Sequence, residues 1–225
     1  MRRAVHDIEL GAASKGESLE GAVRVTSSVV VATYHLPAII AELRREEPLI
    51  AIELVPSDES SNLYFREADI AVRMYRPTQL DLVTQHLGEL RLGVFVAKSY
   101  AARRGLPKSP ADLLEHDVIG FDRESAILDG FRAAGFPVDR GFFKVRSDDQ
   151  VAYWELVRAG AGIGFGQRAI GSRDPELVEL ALDLGLPRLP LWLTAHEAVR
   201  HTPRVRRVWD RLARGLRELV ARDAE

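Results

Sequence analysis

Ala68-Asp69-Ile70-Ala71-Val72-Arg73-Met74-Tyr75-Arg76, followed at once by Pro77, is the stretch on which the fold turns. Ala68, Ile70, Ala71 and Val72 are apolar, two of them β-branched, and a proline closes the run. That is the pattern of a short strand buried on both faces. Tyr75, Arg76, Pro77, Thr78 and Gln79 extend the strand poorly, yet neither a helix nor a hairpin follows. Two further strand-like runs come instead, Leu82–Leu87 and Leu90–Val96. The chain is therefore expected to leave one lobe here and enter another, with the residues at the exit lining a cleft.

Upstream, Ala22–Thr26 alternates as a strand, and Ser27 and Ser28 can cap a helix or donate to a ligand. Leu36, Ile39, Ile40 and Leu43 then recur with the spacing of an amphipathic helix, which Pro48 ends before a second strand, Ile50–Val55. Ser57–Glu67 reads as a short helix leading into the crossing strand. The order strand–helix–strand–helix–strand is that of a parallel α/β sheet. At the start of the chain, Val5, Ile8 and Ala12 share a helical face, so Met1–Glu20 is either the tail of a helix or a frayed terminus.

Downstream, Ser109-Pro110-Ala111-Asp112 is a helix start with a capping hydroxyl, a proline at the first position and an acid three residues on. Val118–Phe121 and Phe142–Arg146 read as strands around a helix at Glu124–Ala134. Ser147-Asp148-Asp149 caps a helix bearing Val151, Trp154 and Val157, and Gly160–Phe165 is a strand returning toward the first lobe. Leu177–Leu182 and Pro190–Ala195 are two more strands. In the closing helix, capped by Thr202 and begun by Pro203, Val205, Val208, Trp209, Leu212, Leu216, Leu219 and Val220 make one apolar stripe.

Composition narrows the function. The 225 residues suit one large domain or two lobes, and a hydrophobic fraction of 46% supports a real core. Thirty-one basic against 33 acidic side chains do not make a nucleic-acid-binding surface. With no cysteine there is no disulfide, thiolate or cysteine-held metal. Met1–Asp7 lacks the apolar core of a signal peptide, and no run reaches the ~18 apolar residues of a membrane span. A cytoplasmic location with no membrane partner is the expectation.

Chemical motifs are mostly near misses. Gly160, Gly162, Gly164 and Gly166 alternate strictly, so neither a dinucleotide fingerprint nor a phosphate loop is met; close backbone packing explains them better. His196 and His201 are five apart, which on a helix turns them to different faces and rules out the zinc-protease pairing. No G-x-S-x-G elbow occurs. Asp148-Asp149 are either paired carboxylates or capping acids, and a strand-to-helix turn favours caps. No nucleophile–base pair, metal cluster or cofactor motif emerges, and the reading is a non-enzyme that needs no cofactor.

Several stretches together resemble the effector-binding domain of LysR-type transcriptional regulators. They are Leu19-Glu20-Gly21-Ala22-Val23-Arg24-Val25, Leu36-Pro37, Ile52-Glu53-Leu54, Ala68–Arg73, Ser109-Pro110-Ala111-Asp112-Leu113, Leu156–Gly164 and the final Pro-x-Val-Arg helix. Each is weak alone; their order and spacing from Leu19 to Leu219 carry the resemblance. It implies an α/β fold of two Rossmann-like lobes joined by two crossover segments, like type 2 periplasmic binding proteins. Lobe I would comprise 21–74 and 166–225, lobe II 75–165, and 1–20 would be the remnant of a linker helix. Such regulators begin with a winged helix-turn-helix, absent from this sequence, so the chain is expected to be a truncated form that touches DNA only through that missing domain.

The resemblance also implies a pocket. Ser27, Ser28 and Val29 would stand at the turn after the first strand and Ser57 at the matching turn after the second. Met74, Tyr75 and Arg76 would lie at the crossing, Phe121 and Asp122 at a second-lobe strand tip, and Ser147 and Gln167 near the return. For each, capping, hinge packing or solvent contact is the competing role. Arg76 is the expected ionic anchor for an effector carboxylate, whereas Asp122, if it faces the cleft, would oppose an acid. The expected partners are a small organic effector and a second copy of the chain, giving a homodimer (a tetramer in the full-length protein). The helix Leu36–Leu43 and the strand Ile50–Val55 would form the dimer face, with the helix stripe exposed in a monomer. A solute-binding component of a transport system is the alternative function, and an enzyme on the same scaffold the third.

Overall fold

The computed structural model describes residues 19–58, 68–77 and 82–224. The chain divides into two compact units, Met1–Glu89 with Leu189–Glu225, and Leu90–Arg188. In chain order, unit 1 opens with β1 (Gly21–Ser27), α1 (Val29–Tyr34), α2 (Leu36–Glu46), β2 (Ile50–Pro56) and β3 (Ile70–Arg73). Strand β4 (Leu82–Ala97) runs from unit 1 into unit 2. Unit 2 continues with α3 (Lys98–Arg104), β5 (Ile119–Gly120), α4 (Ala126–Ala133), β6 (Val145–Arg146) and α5 (Gln150–Arg158), with short 3-10 turns at Pro110–Glu115 and Arg140–Phe142. It ends with β7 (Gly164–Gln167), α6 (Arg168–Gly171) and β8 (Leu177–Leu180). β9 (Arg188–His196), α7 (Glu197–Arg200) and α8 (Pro203–Ala224) complete unit 1.

In unit 1 the strands lie in the order β2-β1-β3-β9-β4. β1 is parallel to β2 and β3, and β9 is antiparallel to β3. The register sets the faces, because side chains alternate along each strand. Val25, Ile70 and Ala195 share one row, and Ser27, Val72 and Leu193 the next. The long stripe of α8 is buried as its spacing predicts: Val205, Val208, Trp209, Leu212, Leu216 and Leu219 are all inside. Each contributes roughly 1.5–3 kcal/mol before entropy is counted. Gly215 lets α2 close on α8, since a Cβ there would stand 2.8 Å from the Ile39 side chain.

The α2 stripe was expected to lie open for a second copy, and it does not. Leu36, Ile39 and Leu43 are buried within unit 1 and Ile40 is half-buried. Their partner is α8, which adds ion pairs from Arg211 to Glu42 and Glu46 and from Arg207 to Glu47. The expected helix at Ser57–Glu67 falls largely outside the described residues, as do the start of the chain and the segment between Pro77 and Leu82.

Leu82–Leu87 and Leu90–Val96 are one 16-residue strand and not two. Gly88, at φ 128°, carries the chain through its middle and packs against Val220 of α8. Beyond it, Leu92–Phe95 pairs with β7 and Val94–Ala97 with β8, both antiparallel. The division between the two compact units falls inside β4 and at the start of β9.

Unit 2 is built on aromatic packing. Val94, Val96, Tyr100, Leu113, Val118, Phe143, Ile163 and Leu180 surround Phe131 in its core. Phe131 contacts the rings of Phe136, Phe142, Phe143 and Phe165 at centroid distances of 5.6–6.1 Å. β5 and β6 pair in parallel over only two residues, and Val118 bridges in parallel to Ile163. The alternating glycines are packing residues: Gly164 lies against Val157 and Tyr153, and Gly166 against the indole of Trp154.

Candidate functional site

Parallel strands bring their carboxyl ends to one edge, the usual ligand-binding edge of α/β sheets. In unit 1 that edge gathers seven of the expected residues. Ser27 closes β1, fully buried, with its hydroxyl donating to the Ser28 carbonyl (3.1 Å) and its carbonyl accepting from Ser57 N–H (2.8 Å). Ser28 precedes α1 but makes no capping bond; its Oγ is buried and has no hydrogen-bond partner among the described residues. The N–H of Val29 donates to Asp58 Oδ1 (3.0 Å), so a carboxylate of the chain itself satisfies the first turn of this six-residue helix. Met74 is half-buried, whereas Tyr75 and Arg76 are exposed, and the Arg76 guanidinium lies 5.6 Å from the centre of the Trp192 ring. His86 meets that ring from β4 at 4.8 Å.

The sequence reading passed over Arg73, which is 3% exposed. Its guanidinium donates to Thr26 Oγ1 (3.0 Å) and to the Val72 carbonyl (3.2 Å). Burial lowers its pKa, opposed by charge and hydrogen bonding from Tyr75 and by the charge of Asp58. The register places Thr26, Ala71 and Thr194 in one row and Arg73 beside Trp192 on the same face. Thr194 Oγ1 and Trp192 Nε1, both buried, have no hydrogen-bond partner among the described residues. A charged residue ending an otherwise apolar buried strand was the available signal, because such a charge persists only where polar groups receive it.

In unit 2, β5, β6 and β7 end at Phe121-Asp122, Ser147 and Gln167. The Phe121 ring stands 5.3 Å from that of Tyr153. Ser147 N–H donates to the Gly120 carbonyl (3.1 Å), and its hydroxyl donates to the Asp149 carbonyl (3.2 Å). Gln167 is 4% exposed and paired with Leu92. Asp122 is bonded by Arg140 and lies 3.7 Å from Arg146 Nε, so two cations offset its charge.

The two neighbouring aspartates divide the capping work. Asp149 caps α5, accepting from Ala152 N–H (2.7 Å). Asp148 instead reaches back to the loop after β5 and accepts from the backbone N–H groups of Asp122, Arg123 and Glu124 and from Arg123 Nε. Burial pushes its carboxyl up, but those donors outweigh it and bring the pKa down to about 2. Tyr153 ties the same strands together. Its hydroxyl accepts from Phe165 N–H (2.9 Å), and burial raises its pKa.

Among the described residues no three His, Asp or Glu side chains gather as metal ligands, and no helix is long and apolar enough to cross a membrane. The carboxyl edge of β1–β3 offers polar and cationic groups for binding.

The chain is 29% identical over 132 residues to the HTH-type transcriptional regulator CrgA of Neisseria meningitidis serogroup C (strain 8013), a match spanning 56% of this chain and 44% of that protein. The chain thus covers less than half the length of this curated relative. The solved CrgA regulatory domain superimposes with a TM-score of 0.74 at 23% identity, covering 90% of this chain and 98% of that one. The effector-binding domain of QuiR, solved in complex with shikimate, gives 0.64 at 14% identity, covering 87% and 96%. Both likenesses fix the fold as that of LysR-type regulatory domains, and the family model for the LysR substrate binding domain matches residues 16–217. The chain belongs to the LysR substrate-binding domain family.

Proposed function

We propose that the chain is the sensing part of a cytoplasmic LysR-type regulator. It binds a small organic acid, and occupancy controls DNA binding by an N-terminal winged helix-turn-helix. The observation that carries the reading is the gathering of Ser27, Ser28, Ser57 and Arg76 at the carboxyl edge of β1–β3 in a chain of this family. Asp122, the group expected to oppose an acid, is paired with Arg140 and Arg146 within unit 2. The same fold holds shikimate in QuiR. Arg76 is exposed and can present its fork to a carboxylate while its plane rests on Trp192. Transmitting the signal takes only a few kcal/mol of differential affinity between two arrangements. The regulator works as a homodimer in this reading, with a tetramer for the full-length protein.

The test is a thermal-shift screen of the purified chain against aliphatic and aromatic acids. A true effector at 100 times its Kd adds about 2.7 kcal/mol, or roughly 5–10 °C in a chain of this size. The Arg76→Ala variant keeps its basal Tm and loses the shift. If no acid class moves the Tm, or the variant responds like the parent, the carboxylate pocket is rejected.

A further inference from the structure

We propose that unit 1 carries a second ligand site, for a small organic polyanion, in a pocket formed by α7, α8 and β4. Its lining residues belong to unit 1, and none is among those at the carboxyl edge of β1–β3. The volume, ≈ 470 Å³, lies in the range of small-molecule sites.

Three arginines face this pocket, Arg200, Arg214 and Arg217. Arg200 is fixed by stacking, with its guanidinium 4.5 Å from the centre of the Trp209 ring, and its Nε is buried without a hydrogen-bond partner among the described residues. Trp209 is only 3% exposed, so the indole acts as a wall that orients the guanidinium and not as a stacking surface for a ligand. Arg214 and Arg217 stand one turn apart on the exposed side of α8. Neither makes an ion pair or side-chain hydrogen bond among the described residues. Elsewhere on the same helix arginines are engaged: Arg211 and Arg207 with α2, and Arg206 with Asp210 at 3.9 Å. The stacked Arg200 and the unpaired Arg214 and Arg217 repel one another in one concavity, and an anion bridging them relieves that repulsion.

Glu218 and Asp210 also line the pocket, and Arg206 offsets the latter. Cationic charge is thus in excess, while the carboxylates disfavour a flat apolar guest. Guanidinium forks match carboxylate and phosphate oxygens alike, so the ligand class is a compact molecule with two or more such groups.

The experiment titrates the whole chain with sodium citrate and, separately, with sodium pyrophosphate, holding ionic strength constant with sodium chloride. Nitrogen–proton correlations of the arginine Nε–H groups give the readout. Saturable shifts of Arg200, Arg214 and Arg217 in either titration support the site, and the stronger arm tells carboxylate from phosphate chemistry. The exposed double variant Arg214→Gln/Arg217→Gln weakens binding at least about tenfold, whereas Arg76→Ala leaves it unchanged, separating this site from the effector site. Absence of saturation by about 10 mM in both titrations, or equal binding by the double variant, overturns the proposal.

Discussion

Asp148 does more for this fold than its position suggests. Its carboxylate gathers three backbone N–H groups after β5 and so joins the ends of β5 and β6, where Phe121, Asp122 and Ser147 stand. A folded pKa of about 2 against an ordinary 3.8 means that its stabilisation is fully present above pH 4 and is lost as pH falls toward 2. Asp148→Asn is therefore expected to lower the Tm at pH 7, and the gap to the parent closes when both proteins are melted at pH values from 4 down to 2. A gap constant across that range would mean that the carboxylate's charge contributes nothing. At the same scale, the strand ends beside which Ser27 and Phe121 stand were legible from periodicity, and their place in a pocket came only from the resemblance. Arg73 was not, since its role depends on which residues lie beside it in the sheet: Thr26 and Trp192 come from distant parts of the chain.

Helices and strands were legible where a hydrophobic pattern runs unbroken. α8 follows from a hydrophobic period repeated over many residues and β1 from a shorter alternation, and the structure has both where the period puts them. β5 and β6 shrink to two residues each because unit 2 is held by the Phe131 ring cluster and not by long ladders, and ring packing leaves no periodic mark in sequence. β4 reads as two strands because glycine punctuates it. Gly88 is in fact a bend inside one strand, its φ of 128° open to glycine and rarely to others. Gly166→Ala is expected to cost about 1–3 kcal/mol in urea unfolding, since a methyl group there meets the Trp154 ring. A cost near zero would show that Trp154 swings aside. Arg211→Ala is expected to destabilise by about 1–3 kcal/mol, less than a fully buried pair would, because Glu42 and Glu46 are half exposed and regain water. The same unfolding experiment measures it, and a Glu42→Gln/Glu46→Gln background should remove most of the effect.

For the whole molecule, the burial of the α2 stripe moves the question of self-association to the sheet edge. With Leu36, Ile39 and Leu43 spent against α8, the apolar group left next to β2 is Leu49, 64% exposed. β2 is the outermost strand of the unit 1 order, and an edge strand presents unpaired backbone groups that a second copy can meet. Covering Leu49 twice, once from each protomer as a two-fold axis requires, would contribute roughly 1.5–3 kcal/mol per side chain. Leu49→Lys is then expected to weaken the dimer by at least about a hundredfold, because each dimer loses two such contacts and gains two charges to desolvate. Sedimentation at several concentrations reads the change directly. Melting offers a second reading: the parent's Tm should rise with protein concentration, and that of Leu49→Lys should not. A dimer of unchanged affinity would place the interface on another surface of the chain, and a monomeric parent would remove self-association through this domain from the proposed mechanism.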